Sequence, residues 1–293
     1  MNLQHIKSIA LDGGGVKGFS FIGVIKYLEE KNILKNIKHV IGSSVGSIFA
    51  ASIACGMNSG DMKNIIRNEN FEDLKDDTWG YVFDIIRVYN HYGFCKGDAM
   101  YDFCGKILDY STNNADITFL ELFEKTHIEL VITGTNLNKC KTEFFSYKTR
   151  PEMKVRLAMR ISASIPLFFK AIDMDGDIYV DGGLLNSYPI WYFDQQHMYQ
   201  SSIGFKLIGD SEHKKDETVE CDRKDIKNLK NYMVSMIDAM LLQIEKGHIK
   251  KDYWNRTILI NTGNVQATDF KLNNEKMEWL IKQGYDACKK RIN

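Results

Sequence analysis

Short apolar runs alternate with helical stripes along the first sixty residues of the chain. Residues 6–11 form an apolar run that ends in Asp12-Gly13-Gly14-Gly15. Phe21, Val24, Ile25 and Leu28 then recur three and four positions apart, the spacing of a helix with one buried face. A second run, 39–41, leads into Gly42-Ser43-Ser44-Val45-Gly46, and the small apolar residues of 47–55 predict a buried helix. Strand, glycine turn, helix, strand, tight turn, helix is the order of an α/β protein with a parallel sheet.

Further strands are predicted at 128–133, 177–180, 203–207 and 257–260, with 143–146 pairing near the first of these. Residues 156–162 and 275–292 read as helices. Residues 211–224 are charged and read as a solvated loop. Ile226, Leu229, Met233, Met236, Ile237, Met240 and Ile244 recur at helical spacing and predict a core-facing stripe. The stretch 71–103 has a different character. It mixes Phe71, Trp79, Tyr81, Phe83, Tyr89, Tyr92, Phe94, Tyr101 and Phe103 with charges. Such a stretch packs its rings on the core, or it forms a lid or interfacial surface, since rings with polar tips suit a membrane boundary. No repeat or linker divides the chain. The expected organisation is a single domain, 1–293, with a lid or interfacial region at 71–127.

Composition narrows the function classes. Lys plus Arg equals Asp plus Glu, 38 each, which argues against a dedicated nucleic-acid binder. Of the six cysteines none forms a C-x-x-C pair, and no Cys/His cluster has zinc-ligand spacing, so reduced, partly buried thiols and no metal are expected. The opening residues lack the apolar core of a signal peptide. The longest membrane-span candidate, 48–57, falls well short of the roughly 20 apolar residues needed. The expected location is the cytoplasm or the periphery of a membrane.

Three motifs carry chemistry. Gly42 to Gly46 is G-x-S-x-G between a strand and a helix. A sharp turn there would expose Ser44 as a nucleophile, with glycines where side chains would clash. The string alone arises by chance in roughly one chain in ten of this length, so its setting matters more. Asp12 to Gly18 has two readings. Gly13-x-Gly15-x-x-Gly18 matches a dinucleotide fingerprint. The same bare N–H groups could form an oxyanion hole. A dinucleotide site wants an acid about 20 residues on to hold ribose, and the chain offers Lys35, Lys38 and His39 there. The oxyanion reading is therefore favoured. Asp181-Gly182-Gly183 ends a predicted strand. Strand ends share one rim of a parallel sheet, which would bring Asp181 to the serine as its base. Burial there would raise its pKa towards neutrality. A triad with a histidine after Asp181 is the competing arrangement, with His197, His213 or His248 as its member.

In this order, the three motifs resemble those of the patatin-like phospholipases. Asp12 to Gly18 looks like that family's oxyanion element, Gly42 to Gly46 like its nucleophile elbow and Asp181-Gly182-Gly183 like its dyad motif. Residues 162–169, SASIPLFF, resemble the block before the Asp strand, and Thr268-Asp269-Phe270 resembles the tail of bacterial-type members. The resemblance implies a three-layer α/β/α fold with a mainly parallel central sheet. It implies a Ser44–Asp181 dyad without histidine, oxyanion donors from Gly13, Gly14 and Gly15, and neither cofactor nor catalytic metal. The implied substrate is a phospholipid or other lipid ester met at a peripheral membrane surface. Lys17 stands where members often carry Arg, which keeps the charge.

Overall fold

Strand β1, Ser8–Leu11, is buried along its whole length and has a parallel neighbour on each side. A strand covered on both faces takes a nearly unbroken apolar run, which is why 6–11 shows no polar alternation. Its neighbours are β2 (His39–Gly42) and β9 (Ser202–Ile208), and outside these lie β4 (Glu129–Asn136) and β10 (Thr257–Asn261), all parallel. A computed structural model of the protein describes residues 3–76, 88, 90–209, 226, 232, 235, 236, 239 and 251–292. The sheet runs β10-β9-β1-β2-β4-β8-β7, where β7 is Ile172–Met174 and β8 is Asp177–Asp181; β5 (Lys141–Phe145) also pairs with β4.

Alternate residues of these strands serve two cores. Ile9, Leu11, Val40, Leu130 and Ile132 pack in the main core with the helices α1 (Ser20–Glu30), α2 (Val45–Ala54) and the closing helix Asn274–Ile292. Ala10, Ile41 and Val131 face the other way, onto Ile190 and Phe193 of the short helices Pro189–Trp191 and Tyr192–Gln195. The result is three layers, α/β/α, around a mostly parallel sheet, as the alternation of motifs predicts.

One expectation about the rim is corrected. β8 is not a parallel strand; it runs antiparallel to β4. β4 extends beyond the predicted 133 to Asn136, overhanging its neighbour β2, which stops at Gly42 beside Ile132. β5 takes one edge of β4, pairing with Ile132 through Asn136. β8 takes the other edge, with Asp181 beside Gly134. Strands β2 and β8 therefore share an edge of β4 and meet end to end. The turn that reverses the chain into β8 is Asp175-Gly176, both at positive φ (58° and 81°), the two-residue loop that fits strand twist.

The 71–127 region contains strand β3 (Gly93–Cys95), paired in parallel with β6 (Leu167–Phe169), and the helices Asp98–Thr112 and Phe119–Thr126. Phe71 packs edge-on against Phe19 and Phe103, while Tyr92 is exposed. Trp79, Tyr81, Phe83 and Tyr89 lie outside the described residues, as do the 211–224 loop, His213, His248 and Cys221. Of the 226–244 stripe only Ile226 and Met236 are described, and both are exposed. Helical spacing marks a shared face but does not say what covers it.

Candidate active site

The turn after β2 is built on two close approaches. A Cβ on Gly42 would lie 2.1 Å from the Gly46 carbonyl oxygen, and one on Gly46 would lie 2.5 Å from that of Asp12. Glycine at both positions lets the elbow fold back on itself and rest against the end of β1. Between them Ser44 has φ 51° and ψ −127°, a conformation that costs a non-glycine residue of order 1–3 kcal/mol. The surroundings hold it there. Ser47 Oγ and Ser47 N–H both donate to the Ser44 carbonyl, and the Ser44 N–H donates to Ser162 Oγ at 2.9 Å. Gly46→Ala should lower unfolding free energy by about 3 kcal/mol or more, because backbone and not a yielding side chain meets the new methyl. Urea denaturation measures this.

Ser44 Oγ donates to Asp181 Oδ2 at 2.6 Å. Asp181 is 2% exposed, and its other oxygen accepts the Gly183 N–H at 2.6 Å. Burial raises its pKa to about 7; the bonds from Ser44 and Gly183 favour the charged form and hold it from rising further. A carboxylate of that pKa is half ionised near neutrality and accepts a proton far more readily than an ordinary aspartate. Burial pushes the Cys55 and Cys104 thiols up to about 12, so neither supplies a thiolate to compete as nucleophile.

The glycine loop lies over the serine. Gly13 is close enough that a Cβ there would sit 3.2 Å from Ser44 Cβ. Its N–H, however, already donates to the Ser187 carbonyl at 3.0 Å. Gly13 is thus set apart from the other two: among the described residues the N–H groups of Gly14 and Gly15 have no acceptor. Asp12 anchors the loop, accepting from Ser187 Oγ at 2.8 Å and from the Leu207 N–H at 3.1 Å, with Lys206 Nζ 3.5 Å away. The start of the following helical turn is covered by chain: Val16 N–H donates to the Ala267 carbonyl, and a Cβ on Gly15 would lie 1.9 Å from that oxygen. The Ala267 carbonyl thus stands where a dinucleotide would put its pyrophosphate, against the nucleotide reading.

Histidine is absent from the dyad's bonds among the described residues. His197 is exposed on a turn beyond Tyr192–Gln195, and His39 bonds Glu129 at 3.0 Å. Beside Ser44 opens an apolar cavity. Val45, Ile48, Met100, Phe103 and Phe169 line it, and Ser44 is the one polar side chain among its described lining residues. Phe270, from the tail, closes another side and stacks on Phe168 with ring centroids 5.6 Å apart. The arrangement can bring an ester with a long apolar acyl chain to the serine hydroxyl. Ser162, Ser187 and Ala267 take part in holding it, and only Ser162 lies in a segment that the sequence marks.

Comparison with known proteins bears on the family and the fold. The family model described as patatin-like phospholipase matches residues 9–194. An uncharacterized protein of Acanthamoeba polyphaga mimivirus is 30% identical over 291 residues, 99% of this chain and 94% of its own. A probable lipid hydrolase of Invertebrate iridescent virus 6 is 28% identical over 188 residues, 64% of this chain and 63% of its own. The crystal structure of VipD from Legionella pneumophila superposes with a TM-score of 0.64 at 20% identity, covering 98% of this chain and 67% of VipD, which bears on the fold.

Proposed function

The chain belongs to the patatin-like phospholipase family, and from that membership and the geometry around Ser44 we propose that it is a serine acyl hydrolase cleaving fatty acyl esters of phospholipids or other lipids. The observation that carries the reading is the 2.6 Å bond to a buried Asp181 from the Oγ of Ser44, which lines an apolar cavity. Asp181 Oδ2 takes the Ser44 proton as Oγ attacks the ester carbonyl. The N–H groups of Gly14 and Gly15 receive the oxyanion. Protonated Asp181 then gives its proton to the departing alcohol, leaving an acyl ester on Ser44. Water, deprotonated by the same carboxylate, attacks that ester, and the proton returns to Ser44 as the fatty acid leaves.

The acyl chain occupies the cavity, and the headgroup stays outside it. Burying each methylene there contributes about 0.8 kcal/mol, so a long chain gains affinity that a short one does not. Among the described residues no helix is long and apolar enough to cross a membrane, and in this reading the protein meets its substrate at a lipid surface. A fluorophosphonate probe tests the assignment: mass spectrometry should find Ser44 modified, and modification elsewhere with Ser44 untouched would sink it. The pH dependence is a second test. Asp181 must be ionised to act, so kcat/KM should rise about tenfold per pH unit below about 7 and level off above it. A profile flat from pH 5 to 9 would remove Asp181 as the base.

A further inference from the structure

Ser44 and Asp181 come from chain segments 137 residues apart, yet both hang from one tripeptide. Residues 162–164 begin at the last residue of the helix Val155–Ser162 and are fully buried or nearly so. Ser162 Oγ accepts the Ser44 N–H at 2.9 Å. Two residues on, the Ser164 carbonyl accepts the Asp181 N–H at 2.8 Å. The Ser162 carbonyl takes the Gly182 N–H in a longer contact of 3.4 Å. The tripeptide is itself fixed. Ser164 Oγ donates to the Arg160 carbonyl at 2.6 Å and accepts from the Arg160 guanidinium. That guanidinium, also buried, donates to the carbonyls of Lys96, Gly97 and Lys170.

We propose that Ser162 is a positioning residue for the nucleophile: its hydroxyl holds the Ser44 backbone in the strained conformation that aims Oγ at Asp181. The inference rests on Ser44 being the nucleophile. At φ 51° the Ser44 N–H points out of both the strand before it and the helix after it, into protein. A buried N–H must find an acceptor or the turn relaxes towards one. Ser162 Oγ is the acceptor it finds. The neighbouring bond from the Asp181 N–H to the Ser164 carbonyl ties the base's backbone to the same tripeptide, so both partners are referenced to one short segment. Misplacing a reacting group by about 1 Å can cost about 10²-fold in rate.

The test compares Ser162→Ala, Ser162→Thr and Ser162→Val with the wild type. Three quantities are read: the rate of fluorophosphonate labelling at Ser44, kcat and KM on a p-nitrophenyl acyl ester, and the midpoint of the kcat/KM pH profile. Circular dichroism on thermal unfolding gives the folded fraction, and all rates are taken per folded molecule. Ser162→Ala should label and turn over roughly 10- to 100-fold more slowly, with KM within about 3-fold, because the acyl cavity is untouched. Its pH midpoint should move up, since a displaced Ser44 Oγ no longer supports the ionised form of Asp181. Ser162→Thr keeps the acceptor and should stay within about 3-fold of wild type. Ser162→Val, of the same shape without the hydroxyl, should follow Ala. The proposal is overturned if a hydroxyl-free variant labels at the wild-type rate with an unmoved midpoint, or if Thr falls as far as Ala. Loss of fold in both hydroxyl-free variants would also overturn it, by making the role wholly structural. A wild type labelled anywhere but Ser44 would instead defeat the hydrolase reading itself.

Discussion

Ser44→Ala should lower kcat by roughly 10⁴- to 10⁶-fold, the range seen when a nucleophile that acts as a unit with its base is removed. The loss should appear in kcat and kcat/KM alike, because the hydroxyl makes its decisive contact only in the reaction. Substrate binding should survive, since the cavity beside Ser44 is lined by apolar side chains. The fold should survive too. Removing Oγ takes away one partner of Asp181, but its other oxygen keeps the Gly183 N–H. Steady-state hydrolysis of a fluorogenic acyl ester, with thermal unfolding run in parallel, checks both halves. A folded variant with more than a tenth of wild-type activity would mean that another group attacks.

Asp181→Asn should remove activity nearly as completely and, at alkaline pH, make the protein more stable. The sign follows from the direction of the shift. Asp181 is raised from 3.8 to about 7 by burial, so the folded state favours the neutral acid. Stability tied to this group is fully present below about 3.8 and is lost as pH rises through about 7. At pH 8 the buried carboxylate is charged, at a cost on the order of 4 kcal/mol. An Asn side chain there is neutral at every pH and keeps an oxygen for the Gly183 N–H. The variant should therefore resist urea better than wild type at pH 8, with the gap narrowing as pH falls and closing only below about 4. A variant less stable than wild type at pH 8, or a gap independent of pH, would contradict the raised pKa. The enzyme in this view carries an uncomfortable charge because the reaction needs a base that strong.

Much of this site was legible in the chain because its signals are local. The apolar runs at 6–11 and 39–41 sit where β1 and β2 form, and the glycine turns follow them at the strand ends. Gly42 and Gly46 mark the elbow because backbone meets backbone there, which only glycine allows. The direction of β8 was not legible. A strand's own residues set its faces, but which way it pairs depends on the Asp175-Gly176 turn and on the overhang of β4. That overhang, Gly134-Thr135-Asn136, carries no apolar run and so gave no sign of its length. The division among the three glycines was hidden as well. What separates Gly13 from Gly14 and Gly15 is the carbonyl of Ser187, more than 170 positions away, and a backbone carbonyl leaves no trace in residue identity. Ser162 lay in a segment singled out by resemblance, yet nothing in the string SASIPLFF says that its first hydroxyl faces Ser44.

The meeting of β2 and β8 on one edge of β4 also sets a clock on the protein's birth. Translation delivers the elbow well before the carboxylate at position 181 and the tethers of the glycine loop at Ser187, Leu207 and Ala267. In the proposed mechanism, a chain still on the ribosome thus carries its serine long before its base is made, and cleavage waits for residues far downstream.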